Sequence, residues 1–501
     1  MKREQVKNSG ILIFSNLVIN LTGFLRQIIM AWFLGISGQI DLMLLSMIVP
    51  AIIQSMVGGG AGEILVIKRD KEGYREGSFE TLFIVSCLLP VLILGIIYFL
   101  SIRFLLPFFK SGDADLFYSL SLIFIINMLP GTFTSVLRPH LYSRGLYGFY
   151  AVTTVISQFI SILFIILTVR HLGIFAFAWS YLLSGVLNAI LFSFRSGLYI
   201  PGILNIKIWR HETAQLLHLL KKLFSLSLQT LLNHLATFWE RSLSVKYLTA
   251  GYLSSLNYSK TINELPNTVL LSSVLTTSYI EQTRLHKESY EKFAKYTEST
   301  LRLLIRAGFL LQTILLVLAP VIIILVFRRG KFDNDAVKQT LVIFNILTVG
   351  FLPRLIMNFF SRTMYILGEY NRLLFVVFMK LAVQVAIMVC FINLFENAIP
   401  FAIISGFIFS SFLLFFYAGR ILKNVSIWYF IIRLAVVTVS SLLLLALHNY
   451  IIDFYIGLSN LRILIYSLPL IIFSVIIFVL FLEKNGIETG LIKRIKTLSG
   501  K

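Results

Sequence analysis

Arg26 stands in Gly23-Phe24-Leu25-Arg26-Gln27, inside an apolar run from about residue 11 to 34, and Asp41 opens the next such run. A charge at bilayer depth costs about 2.5–3.5 kcal/mol on insertion scales, so a cation kept there answers something negative. Asn16, Asn20, Gly23 and Gln27 follow one another at spacings of 4, 3 and 4, one face of a helix, with Arg26 at its flank. Such a stripe faces protein or a water-filled cavity, because lipid cannot satisfy it. The competing structural reading has the Asn and Gln side chains tying neighbouring helices together.

Further polar groups fall inside later apolar runs. Asp41 is followed by Pro50, Gln54 and the run Gly58-Gly59-Gly60-Ala61-Gly62-Glu63. The glycines suit a kink or close helix packing and make no phosphate-binding loop, since no Lys-Ser or Lys-Thr follows. Asp41 could cap the start of its own helix. Trp239-Glu240-Arg241 puts opposite charges on adjacent positions, which point apart on a helix and so take separate partners. Lys260 and Glu264 are i,i+4 and could pair locally, and Lys380 and Gln384, also i,i+4, interrupt an apolar stretch. Glu240 is the partner expected for Lys380.

The elements that must position these residues are membrane helices. The chain has 501 residues, 57% hydrophobic and 13% charged, and runs of about 20 apolar residues recur along it, the length that crosses a hydrocarbon layer of about 30 Å. The fold class is all-α and polytopic, with about fourteen spans. Six are expected near 11–34, 40–66, 79–102, 116–137, 147–169 and 172–194; six more near 223–249, 258–282, 303–327, 338–361, 373–395 and 398–419; and two near 427–447 and 462–482. Residues 1–200 then form an N-terminal lobe, 201–222 an amphipathic linker helix on the cytoplasmic interface, 223–420 a C-terminal lobe, and 421–501 two last helices with a basic tail. The polar stretch 283–300 is expected as a loop.

A net charge of +21 would suggest nucleic acid in a soluble protein, but here most Lys and Arg lie between the apolar runs, where they set orientation and meet anionic lipid. Their clusters, at the N-terminus, near 68–75, near 195–222, near 284–295 and in the tail, share one side if each run crosses once. That side is the cytoplasm, with both termini inside; Arg328, Arg329 and Lys331 break the pattern. Cys87 and Cys390 sit in apolar runs without CxxC spacing, and the seven histidines are scattered. Neither a metal site nor a catalytic constellation is indicated, and the polar loop rich in acids or histidines that a membrane glycosyl ligase would carry is absent.

Three ordered blocks of residues resemble the MurJ/MviN family of lipid II flippases. Gly23-Phe24-Leu25-Arg26, Ala31, Phe33-Leu34-Gly35, Asp41 and Pro50 reproduce most of a family pattern GFxRDxxxAxxFGxxxxxDxFxxxxxxP. Glu240-Arg241 through Leu253-Ser254-Ser255-Leu256-Asn257-Tyr258 to Leu265-Pro266 is similar to DRxLAxxLxxGxVSxLNYAxRLxxLP, with one extra residue. Val326-Phe327-Arg328-Arg329-Gly330-Lys331-Phe332 through Asp335 to Thr340 is similar to LFxRGxFxxxDxxxT, and Arg362, Tyr365 and Gly368 follow as in RxFYxxGD.

The resemblance implies a V-shaped, MATE-like pair of six-helix lobes plus two C-terminal helices, around a cationic cavity. A polyprenyl diphosphate-linked saccharide would pass through it by alternating access. Arg26 and Lys260 would then hold the diphosphate; Asn16, Asn20, Gln27, Gln54 and Thr261 would line the cavity; and Asp41, Glu264 and Arg241 would make gate or charge-pairing contacts. Asn20, Gln54 and Thr261 stand where the family has further arginines, so another lipid-linked polysaccharide unit rivals lipid II as cargo. A transport-dead scaffold of a wall-synthesis complex and a multidrug exporter are the other readings. The family's sodium coupling would fall on Glu240, Lys380 and Gln384, where a lysine ammonium makes a sodium site doubtful and leaves another ion or the membrane potential as the driving force. No cofactor is implied. Expected partners are the lipid-linked saccharide, the bilayer and cell-wall or polysaccharide synthesis proteins, in a bacterial inner membrane.

Overall fold

Backbone polar groups in hydrocarbon must be satisfied within the protein, and a helix does this within one segment. The computed structural model accordingly shows helices and no strand among the residues it describes, which are 2–69, 78–105, 111–196, 228–268 and 272–418 with 432, 462, 467–469 and 472. Among them are nine stretches long and apolar enough to cross a membrane, one of them Gly38–Gly58, or ten with one bent pair. The expected linker over 201–222 and the spans near 427–447 and 462–482 lie outside the described residues.

The chain divides into two compact units, Met1–Ser254 and Ser255–Lys501. The first holds α1 (Lys2–Leu34), α2 (Gly38–Ser46), α3 (Ile48–Arg69), α4 (Ser78–Leu105), α5 (Ser111–Ser143), α6 (Tyr147–Leu172) and α7 (Ile174–Ser196). It also holds α8 (228–247), which the sequence reading assigns to the second lobe, and the first turn of α9 (Tyr252–Pro266). The second expected span is two helices, α2 and α3, meeting at Met47. Pro50 accounts for the break, because its ring crowds the carbonyl of Ser46 four residues back and it has no N–H to donate there. Leu82, Phe83 and Cys87 of α4 are fully buried in the core of this unit, whereas Phe104, Leu167 and Phe194 are 79%, 67% and 79% exposed, as lipid-facing side chains are.

The second unit continues with α10 (Ser272–Glu288), α11 (Tyr290–Phe327), α12 (Asn334–Val349), α13 (Phe351–Ile366), α14 (Tyr370–Phe391) and α15 (Ala398–Ala418). The stretch 283–300, expected as a loop, is helical apart from Ser289. At 38 residues, α11 is about 57 Å long, nearly twice the hydrocarbon thickness. Its polar first turns pair with α10 through Gln282 Nε2 donating to Thr297 Oγ1 (3.3 Å) and the edge-to-face contact of His286 and Phe293. The loop after α11 explains one sequence block. Gly330 has φ +59°, which favours glycine; Phe327 and Phe332 pack with Tyr258; and Asp333 Oδ1 caps α12 by accepting from the Ala336 N–H at 2.8 Å.

Helices α12 and α13 are together long and apolar enough for one span and are bent by 45° at the break between them. Pro353 forbids a regular helix here, since it crowds the Val349 carbonyl and donates nothing to it. Gln312 of α11, fully buried, repairs the break: its Nε2 donates to Val349 O (3.2 Å) and its Oε1 accepts from the Leu352 N–H (3.2 Å). Replacing it with an apolar side chain would orphan both backbone groups. Gln312→Leu is expected to lower stability by about 2–4 kcal/mol, one unsatisfied buried group costing about 1–3, with the loss read as a lower melting temperature of the detergent-solubilised protein. An unchanged melting temperature would remove Gln312 from this role.

Candidate functional site

In the first unit, Arg26 is buried, 5% exposed. Its Nη2 donates to Gln158 Oε1 (3.0 Å) and Ser161 Oγ (2.8 Å) on α6, and its guanidinium lies over the Tyr181 ring on α7, 4.3 Å from the centroid. Arg26 Nε is buried without a partner. The receiving groups are fixed in turn, because Ser161 donates to Ser180 O (3.1 Å) and Gln158 Nε2 to Ser184 Oγ (3.4 Å), while Ser157 donates to Asn188 Oδ1 (2.9 Å). These residues form a polar seam between α6 and α7. The sequence reading missed it, although Ser157 and Ser161 on one helix and Ser180, Ser184 and Asn188 on the other recur at the helical spacing of four.

Asp41 is buried too, and it does not cap its own helix. Its carboxylate accepts from the Gly251 N–H (2.7 Å), the Ser254 N–H (2.7 Å) and the Ser254 hydroxyl (2.7 Å), and so caps the start of α9 at the end of this unit. Free amides and the positive end of the helix dipole make that a natural seat for an anion. Arg241 of α8 donates to Leu44 O and lies near enough to Glu240 and Tyr181 to interact electrostatically with both. Gln54 packs on Gly131, where an added Cβ would come within 2.6 Å of its amide nitrogen. Gln27 is half-buried and Asn20 exposed, and the Asn16 side chain lies outside the described residues. Beside Asp41 a cavity of about 640 Å³ is lined chiefly by apolar groups, among them Leu42, Leu45, Tyr98, Phe117 and Phe238.

In the second unit the polar residues gather on the broken span. Arg354, one residue after Pro353, donates from Nη2 to Asn263 O (3.1 Å) and Oδ1 (2.7 Å) and from Nη1 to Glu264 Oε1 (3.2 Å). Glu264 therefore pairs with Arg354, a residue that the sequence reading did not single out, instead of serving only a local contact with Lys260. Asn263 Nδ2 donates to Thr348 Oγ1 (2.8 Å), and Thr261 spends its hydroxyl on Asn257 O of its own helix (2.8 Å). Lys260 is half-buried. Lys380 is buried with its ammonium 4.9 Å from the Phe407 ring centroid, and Gln384 Nε2 reaches Ile403 O at 3.5 Å. Among the described residues no three His, Cys, Asp or Glu side chains cluster to hold a metal.

Helices of membrane length carrying buried charges define a multi-pass membrane protein. The chain belongs to the MurJ lipid II flippase family, whose family model matches residues 30–474. It is therefore a flippase-type transporter. Among solved structures it is similar to a lipid II flippase MurJ in an inward closed conformation, at 18% identity and a TM-score of 0.72, covering 95% of this chain and 98% of that one. An inward-facing multidrug resistance MATE family transporter of the MOP superfamily shares 14% identity with a TM-score of 0.63, covering 83% and 99%. A MOP superfamily transporter from Pyrococcus furiosus shares 16% with a TM-score of 0.59, covering 84% and 97%. At these identities the structures speak for the fold, and they bear out the all-helical MurJ- and MATE-like architecture. No curated protein sequence matches the chain.

The Asp41 contact yields a local test. Hydrogen bonds to a charged group contribute about 1.5–3 kcal/mol each, so Asp41→Ala is expected to speed amide hydrogen exchange at 251–254 by about tenfold or more, as measured by mass spectrometry. Exchange there equal to that of the parent chain would count against the cap.

Proposed function

We propose that this protein flips an undecaprenyl diphosphate-linked saccharide, in the first place the peptidoglycan precursor lipid II. The lipid moves from the cytoplasmic to the outer leaflet of a bacterial inner membrane by alternating access, with both termini of the protein in the cytoplasm. The observation that carries this reading is Arg26: a guanidinium at membrane depth, 5% exposed, partnered by neutral groups and with its Nε unsatisfied. A diphosphate is the kind of anion such a group answers, since phosphate oxygens accept the charge-assisted hydrogen bonds that Arg donates. Lys260 is the second cation assigned to the diphosphate, and Asp41 and Glu264 are assigned to contacts made and broken as access alternates. Wall-synthesis proteins that make or use the lipid are the natural partners.

A different lipid-linked polysaccharide unit is the second reading, favoured by the neutral side chains of Gln54 and Thr261 at positions where the family resemblance expects arginine. The lipid diphosphate is common to both cargoes. With Lys380 in the place of a coupling ion, transport runs without sodium, on another ion or on the membrane potential.

Arg26→Ala is expected to abolish rescue of a flippase-depleted strain while the protein still reaches the membrane; normal growth of that strain would refute the role. In proteoliposomes carrying labelled lipid II or a labelled O-unit lipid, the rate should stay the same when sodium is exchanged for choline. A sodium-dependent rate would overturn the assignment of Lys380, and the preferred lipid identifies the cargo.

A further inference from the structure

An arginine at membrane depth can be satisfied in two ways. A carboxylate neutralises it, and an incoming anion must then displace that partner. Neutral acceptors orient it and leave the charge in place. Arg26 is held in the second way, for it has no ion pair among the described residues and its partners are an amide oxygen, a hydroxyl and an aromatic face. Each partner has its polarity set by a further bond. Gln158 must turn Oε1 toward Arg26 because Nε2 is given to Ser184, and Ser161 must offer a lone pair because its proton goes to Ser180 O. The ring of Tyr181 fixes the guanidinium plane, and a cation over an aromatic face gains more where water is excluded. The donor left over, Nε, is buried and unpartnered.

We propose that Gln158, Ser161 and Tyr181 are positioning residues that keep Arg26 oriented and un-neutralised for a phosphoryl oxygen of the transported lipid, with the neutrality of Gln158 as the determinant. The inference rests on the diphosphate reading above and adds to it the residues that make the arginine available. A carboxylate in place of the Gln158 amide has nearly the same shape and would sit about 3 Å from Arg26. In a low-dielectric setting that attraction is strong, so the cradle would close on itself as an ion pair and exclude the phosphate.

The experiment uses the full-length protein in detergent with farnesyl diphosphate as probe, and follows binding and melting temperature together. Gln158→Glu is expected to weaken binding at least tenfold with the melting temperature held or raised, a split that a merely structural role would not produce. Tyr181→Leu is expected to weaken binding by a similar factor, and Tyr181→Phe, which restores the ring, to recover most of it. Parent-like binding by Gln158→Glu, or equal binding by the two Tyr181 variants, overturns the proposal. Should Gln158→Glu fail to fold, the Tyr181 pair decides alone. If the folded parent protein binds farnesyl diphosphate no better than farnesol, the diphosphate reading fails, and this inference with it.

Discussion

Hydrocarbon offers no hydrogen bonds, so each polar group that the chain carries into the bilayer must be answered by another part of the chain. The first unit answers Arg26 with a seam of small hydroxyl and amide side chains on α6 and α7. It answers Asp41 with backbone amides at the start of α9. The second unit turns the same requirement on its own backbone. A proline opens α12 and α13, and Gln312 closes the gap with one amide that both gives and accepts. The setting of a buried arginine and the repair of a broken helix thus both draw on uncharged polar side chains.

The distribution of charge follows from this. Neutral partners orient a cation and leave its charge in place, whereas a carboxylate neutralises it. Arg26 belongs to the first kind. Arg354 and Glu264 at 3.2 Å belong to the second, with Asn263 completing the arginine's bonds. Lys380 is buried with its ammonium over the Phe407 ring.

Much of the fold was legible in the sequence because an apolar run of membrane length has few other uses. What was missed lay where local physics overrides that pattern. The second span is broken after Ser46 and the tenth bends at Gly350, both at prolines that hydropathy does not register. The polarity of 283–300 suggests a loop, yet Arg284 with Glu281 and Glu288, and Arg302 with Glu298, are helix-spaced ion pairs that fit a helix standing out of the bilayer. In the site, Arg26 and Asp41 declared themselves as costly charges. Their partners did not, being neutral and 132 to 213 residues away, at separations where one sequence holds no pairing information.

The Asp41 cap has a consequence for biogenesis. The carboxylate and the amides that receive it are 210 residues apart in the chain, so at ribosomal speed the acid precedes its partners by about 10–40 s. Through that interval α2 has no helix start to dock on, and the first unit gains its closing contact only when the start of α9 emerges. A nascent chain stalled before Gly251 would therefore hold nearly all of its first unit and still lack the contact that ties the start of that unit to its end.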